Sequence, residues 1–210
     1  MILETLYTML KNLYGINDAP DAITPYLLAL KPRHDGHQEI SVGSRFSGME
    51  AMLVKETNDD VQLGVYLHPL IRQRLQHGSL RYDDLGYAAE GLSHFLYVID
   101  RAGRNKSCSQ LELELQAEVD KFIVLHLLTI EAAGKSPHNI FTWQFDSPDF
   151  AADLSHEERD RYETANHFAA KFCWKLRERC FFPLRRSELL AWIRPFFEAN
   201  LEGKLARLIP

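Results

Sequence analysis

At 210 residues the chain suits one domain with a sizeable core. Hydrophobic residues make up 46% and aromatics 11%, which excludes a disordered chain. A formal charge of -5 and a pI near 6.0 give no bulk reason to expect nucleic acid or an anionic membrane as a partner. Cys108, Cys173 and Cys180 form neither a CxxC pair nor a disulfide framework, which suits a reducing compartment. No window reaches about 18 uninterrupted apolar residues, so no membrane span and a cytoplasmic location are expected.

In chain order, Ile2, Leu6, Leu10 and Leu13 recur at helical spacing, and Gly15 closes the run. The early Glu4 and the absence of a basic leader argue for an amphipathic helix over residues 2–14, not a signal peptide. Thr24-Pro25 predicts a second, short helix through Leu30, followed by a polar loop over 31–37. From Glu39 to Leu67 the period changes to two, with Ile40, Val42, Met52, Val54, Val61, Leu63 and Val65 in alternation. Three such runs with turn residues at 47–48 and 58–60 predict a three-stranded antiparallel β-meander. Pro69 ends the third strand, and helical structure begins at 70–75.

Everything after Tyr82 reads helical. Asp83 or Asp84 is expected to cap a helix to about Ala102 whose inner face carries Leu85, Ala89, Leu92, Leu96 and Ile99. Ser107 or Ser109 is expected to cap a longer one through Ala133, apolar almost all round over 122–130 and therefore central to a bundle. A loop over 134–149 precedes a capping box at Ser155 and a helix to about Arg179. After Pro183, a last helix runs from Ser187 to about Leu201. The expected class is α+β in a single domain, 1–210. An N-terminal helical pair and the meander occupy 1–80, and a bundle of about four helices occupies 81–210.

Acidic residues interrupt the central helix. Leu111, Leu115, Phe122 and Leu125 line one face, Glu118 falls inside that stripe, and Glu114 lies on its border. Two carboxylates four residues apart repel unless a cation, a shared proton or a basic partner lies between them. Lys121, Arg101 or Arg104 could supply that partner at the bundle rim. Glu112 and Asp120 point away from the stripe and are expected to be solvated. On the preceding helix, Glu90 and His94 have the i, i+4 spacing that lets two ligands grip one metal ion. Their row lies opposite Leu92 and Leu96, so a surface pair is expected unless the sheet covers that face. Asn166 intrudes among Tyr162, Ala165, Ala169 and Phe172, where it either fixes packing or orients a reacting group.

Weaker signals complete the inventory. His34, Asp35, His37 and His68 could meet over the sheet, a weak metal signal in a polar loop. Arg161 and His167 are spaced in a way that resembles the Arg–His motif of helical HEPN ribonucleases. A β-meander is foreign to that family, and nothing is carried over from it. Residues 171–186 hold Lys171, Lys175, Arg177, Arg179, Arg185 and Arg186, interleaved with Trp174, Phe181 and Phe182. Such a patch either compensates a helix dipole or contacts an acidic partner. No GxSxG, P-loop or GxGxxG is present.

Two functions are therefore expected to compete. The first is a small metal- or carboxylate-dependent enzyme of the hydrolytic class, its site at the sheet–bundle junction. There Glu118 is base or metal ligand, Glu114 and His94 assist, Glu90 is a second ligand, Asn166 orients, and a divalent metal ion is the expected cofactor. The second is a non-enzymatic protein- or nucleic-acid-binding module using Lys175, Arg179, Arg185 and Arg186; a homodimer is a separate expectation tied to no particular residues.

Overall fold

The computed structural model describes residues 2–29, 39–43, 49–56, 61–78, 81–134, 139–146, 148, 150 and 154–208, with backbone alone at 39–43, 55–56 and 61. Helix α1 (Ile2–Tyr14) buries Leu3, Leu6, Leu10 and Leu13, and Gly15 ends it at φ +68°. The expected second helix shrinks to a single 3-10 turn, Thr24–Tyr26. The Glu4 carboxylate pins that turn by accepting from the Ile23 and Thr24 amides. The chain then extends as β1 (Leu27–Leu28), pairing in parallel with Val65 and Tyr66.

Strands β2 (Glu39–Gly43), β3 (Glu50–Glu56) and β4 (Val61–Leu67) form the antiparallel meander, with Glu50 opposite Leu67 and Val54 opposite Leu63. Because β1 adds to the β4 edge, the sheet has four strands in the order β1-β4-β3-β2 and is mixed, not purely antiparallel. Met52, Val54, Val65 and Leu67 are buried as the period of two predicts, but Ala51, Gly64 and Tyr66 beside them are buried too, so both faces of the sheet are covered there.

Helix α2 (Pro69–Gln76) opens with proline, and His68 caps it by accepting from the Leu70 amide. Helix α3 (Tyr82–Gly103) is capped by neither Asp83 nor Asp84; its N-cap is Arg81, and both acids lie in the first turn, where the helix dipole favours them. It is buried from Asp84 to Tyr97 because β3 and β4 cover one face while α1 and α4 (Gln110–Ala133) cover the others. A Cβ at Gly91 would stand 3.0 Å from Val65 and 3.1 Å from Glu50, so glycine allows this close approach of helix and sheet.

Ser109 and Glu112 form a reciprocal capping box at the start of α4, and Gly134 in the left-handed region ends it. The buried run on α4 lies at 112–127, earlier than the expected 122–130, and its first half is polar. Within the expected 134–149 loop, Thr142–Asp146 form a short π-helical segment. Helix α5 (His156–Cys180) begins at the predicted Ser155 box and packs on α4.

The expected last helix is α6 (Arg186–Glu198), and after a break at 199–200 a further short helix follows, α7 (Leu201–Ala206). The Arg101 guanidinium explains the break, since it donates to the carbonyls of Phe197, Glu198 and Ala199, which would otherwise lack partners at the end of α6. Helix α1 packs on α3, α4 and α6, so the N-terminal layer shares the helical core. Among the described residues no helix is long and apolar enough to cross a membrane.

Candidate metal centre

Three elements bring carboxylates onto one buried histidine. Helix α3 supplies Glu90 and His94, α4 supplies Glu114 and Glu118, and the first residue of β3 supplies Glu50. Glu90 and His94 are 2% and 0% exposed, so the expected surface pair is overturned. The sheet covers the face they share. One ligand atom each from Glu90, His94 and Glu114 lies within 4.8 Å of the others. Nε2 of His94 is 3.6 Å from Glu114 Oε2, and Nδ1 is 3.8 Å from Glu50 Oε1. Both separations exceed a direct hydrogen bond. Among the described residues, both ring nitrogens, both Glu50 oxygens and Oε1 of Glu114 are buried with no hydrogen-bond partner.

Burial and charge pull in opposite directions here. Burial works against a charged imidazole, but Glu114 and Glu50 outweigh it and push His94 up to about 10. Burial pushes Glu50 up to about 8, against the pull of His94 and with the help of Glu90 and Glu114. Burial also raises Glu114, while His94 and Arg161 oppose the rise. Four carboxylates therefore share two buried cationic partners, His94 and Lys121, with the half-buried Arg161 near Glu114. The imbalance is made good by protons or by a further cation.

Lys121 organises the other half of the cluster. Its ammonium donates to Glu118 Oε1 at 2.7 Å and to Glu90 Oε2 at 3.1 Å. Gln144, from the π-helical segment, donates to both the backbone oxygen and Oε2 of Glu118 at 2.7 and 2.8 Å. Asn166 in turn donates to the Gln144 carbonyl at 3.4 Å. Glu118 is thus held by a lysine and an amide, and Glu114 stands where the sequence suggested Glu118, beside His94. Asn166 braces the segment that carries Gln144 and sits one residue behind the carboxylates.

A cleft of about 590 Å3 reaches this cluster from outside. Glu90, Lys121 and Gln144 line its inner end, Gly86, Tyr87 and Trp143 its walls, and Arg74 and Arg81 its mouth.

The remaining expectations are placed as follows. Glu112 and Asp120 are buried, not solvated. The Glu112 carboxylate closes the capping box, and Asp120 accepts from Tyr14, Ser93 and Gln116 where α1 covers that face. Burial raises Asp120 to about 6 although those bonds oppose it. His34, Asp35 and His37 lie outside the described residues, and His68 is spent as a cap. Arg161 lies near Glu114, whereas His167 is exposed.

In the basic segment Lys175 donates to the carbonyls of Arg207 and Leu208, Arg179 lies over the Trp192 ring, and Arg185 pairs with Glu188. Neither Arg185 nor Arg186 reaches the acidic cluster. Arg186 lines a groove between α1 and the end of α4. Trp174 is 48% exposed, while Phe181 is buried.

Sequence reasoning missed Glu50, Gln144 and the part played by Gly91. Gly91 carried a signal: glycine inside a helix costs about 1 kcal/mol relative to alanine, so its presence marks a close approach. Glu50 carried none, because a lone acid at a strand start reads as solvated. Comparison with known proteins finds no family model that matches the chain, and no curated protein or solved structure that matches it.

Proposed function

We propose that the protein is a metal-dependent enzyme of the hydrolytic class, with Glu90, His94 and Glu114 as ligands of one divalent ion and the adjoining cleft as the route for substrate. The observation that carries this reading is the convergence of one imidazole and two carboxylates within 4.8 Å, where among the described residues both His94 nitrogens and Oε1 of Glu114 have no hydrogen-bond partner. Two ligands on a tetrahedral ion at about 2.1 Å stand roughly 3.4 Å apart, close to the 3.6 Å between His94 and Glu114. One imidazole with two carboxylates suits zinc, manganese or ferrous iron better than calcium, which prefers an all-oxygen shell.

A bound ion of this kind supplies a water made acidic enough to attack at neutral pH. His94 binds such an ion only after giving up its proton, so the ion replaces charge that the imidazolium otherwise carries. Lys121 lines the cleft beside Glu90 and is placed to stabilise negative charge developing on a substrate oxygen. Glu90 and Glu118, the latter itself held by Gln144, keep that ammonium in place. Three free cysteines fit a cytoplasmic location.

Thermal unfolding with manganese, zinc or ferrous ions tests the metal. At 100 times the dissociation constant the parent should gain about 2.7 kcal/mol, and Glu114→Gln should abolish the gain. Hydrolysis of a panel of small esters, amides and phosphoesters tests the chemistry. Turnover that requires both the ion and Glu114 supports the enzyme; a loaded protein inert to the whole panel leaves ion binding alone. The binding-module alternative draws no comparable support, since Lys175, Arg179 and Arg185 are engaged locally.

A further inference from the structure

Glu50 stands apart from the three converging ligands. It comes from the sheet, whereas the others come from the helical hairpin, and it faces the opposite edge of the imidazole. Nε2 of His94 looks toward Glu114; Nδ1 looks toward Glu50. One ion cannot engage both nitrogens of a single ring. With the ion on the Nε2 side, Nδ1 must carry the proton, and the nearest acceptor for it is Glu50 Oε1 at 3.8 Å.

We propose that Glu50 is a positioning residue, which accepts a hydrogen bond from Nδ1–H of His94 and thereby fixes the ring orientation and tautomer that present Nε2 to the metal ion. The inference rests on the metal reading above and deepens it. Metal-bound histidines usually donate their other ring N–H to a carboxylate or carbonyl, and loss of that partner weakens the site.

Three observations support the assignment. The Glu50 side chain is wholly buried, and among the described residues neither of its oxygens has a hydrogen-bond partner. The gap is 3.8 Å, and such bonds are often long before a site is loaded. Gly91, one turn from His94, admits the Glu50 side chain: its missing Cβ would lie 3.1 Å from both Cγ and Oε1 of Glu50. The helix thus gives up side-chain volume where the carboxylate must pass.

The test uses the full chain, zinc alone as probe, and nitrogen-15 NMR of the histidine rings. Zinc affinity comes from competition with a chelator. In the loaded parent, His94 should show a protonated Nδ1 and a metal-shifted Nε2. Glu50→Leu should weaken zinc about 10- to 100-fold at unchanged stoichiometry and remove the downfield Nδ1 proton. Glu50→Gln keeps an acceptor oxygen in the same volume and should recover most of the affinity.

Gly91→Ala, which crowds Glu50 without touching a ligand, should fall between the two. Parent-like affinity and tautomer in Glu50→Leu would overturn the proposal, and so would equal losses in Glu50→Leu and Glu50→Gln. If the parent itself binds no zinc, the metal reading fails separately. The Nδ1 proton of the zinc-free chain then decides whether Glu50 orients the ring: its loss in Glu50→Leu upholds that role, and its persistence overturns it. Should Glu50→Leu not fold, Glu50→Gln and Gly91→Ala carry the same comparison.

Discussion

His94 and His126 are both buried on the same helical hairpin, yet their surroundings drive them in opposite directions. His94 lies between Glu50 and Glu114, which outweigh burial and hold it protonated up to about 10. His126, three turns further along the core, is packed against Phe122 and Phe181 with ring centroids 4.1 and 4.6 Å away. Its Nδ1 bonds the Phe122 carbonyl of its own helix, and burial pushes it down to about 4.

The contrast extends to the two halves of α4. From Glu112 to Lys121 it buries Glu112, Glu114, Gln116, Glu118, Asp120 and Lys121; from Phe122 to Leu127 it buries apolar residues and His126. The second half is an ordinary core, stabilised by removing apolar surface from water. The first half is stable only while every charge finds an opposite or a proton, a condition that a packing core does not impose. A buried histidine is therefore no sign of function by itself. Its neighbours decide.

The largest expected effect comes from breaking the polar half. Lys121→Met removes the cation shared by Glu90 and Glu118 and leaves both carboxylates buried. A loss of about 3–5 kcal/mol is expected in urea denaturation at pH 7. A loss below about 1 kcal/mol would mean that water reaches these carboxylates freely.

Acid titration sharpens the other side of the contrast. The folded pKa of His126 lies below its unfolded value near 6.5, so the unfolded chain binds more protons. Its contribution to stability is intact above pH 6.5 and is lost as pH falls toward 4, by up to about 3 kcal/mol. His126→Leu should flatten that part of the stability profile, as followed by denaturation midpoints at pH 7, 5.5 and 4.5. An unchanged slope in the variant would place the ring in contact with water.

A smaller change separates access from stability. Gly86 floors the cleft, and a Cβ there would meet Trp143 and Lys121 at 3.7 and 3.8 Å, in ordinary contact. Gly86→Leu should shift stability by about 1 kcal/mol or less, helped by better helix propensity. The same change should exclude substrates larger than water from the cluster. Metal uptake with lost turnover of every active ester would confirm the route; unchanged turnover would place it elsewhere. Smallest of all, Arg185→Ala with Arg186→Ala should alter stability by less than about 0.5 kcal/mol and leave zinc binding unchanged, because both side chains are exposed and far from the acids.

Much of the architecture was legible from period and caps. The cap at Ser109, offered beside Ser107, the capping box at Ser155, the helix end after Ala133 and the shift to period two over β3 and β4 are local signals, and the structure keeps them. The second N-terminal helix was misread because Thr24-Pro25 starts a turn equally well, and only the edge of β4 draws Leu27 and Leu28 into a strand. Helix α7, which begins where the expected last helix ends, was not legible, because the break before it depends on Arg101, almost a hundred residues away.

At the site, the spacings of Glu90 with His94 and of Glu114 with Glu118 were visible, but their burial was not. A helix that is covered on two faces looks amphipathic from either one alone. Asp120 and Glu112 look solvated in the sequence for the same reason, since α1 and the turn before α4 cover what the stripe leaves open. Glu50 needed the fold, because nothing local links a strand start to a helix forty residues on.

Cobalt(II) titration of the purified full chain tests the metal assignment most directly, since its visible bands report both occupancy and the donor set. One equivalent should bind with a nitrogen–oxygen spectrum, and Glu114→Gln or His94→Gln should abolish it while the fold persists by circular dichroism. No saturable binding to the parent, or a spectrum indifferent to both substitutions, would show that the four carboxylates are balanced by protons and by His94, Lys121 and Arg161 without an ion.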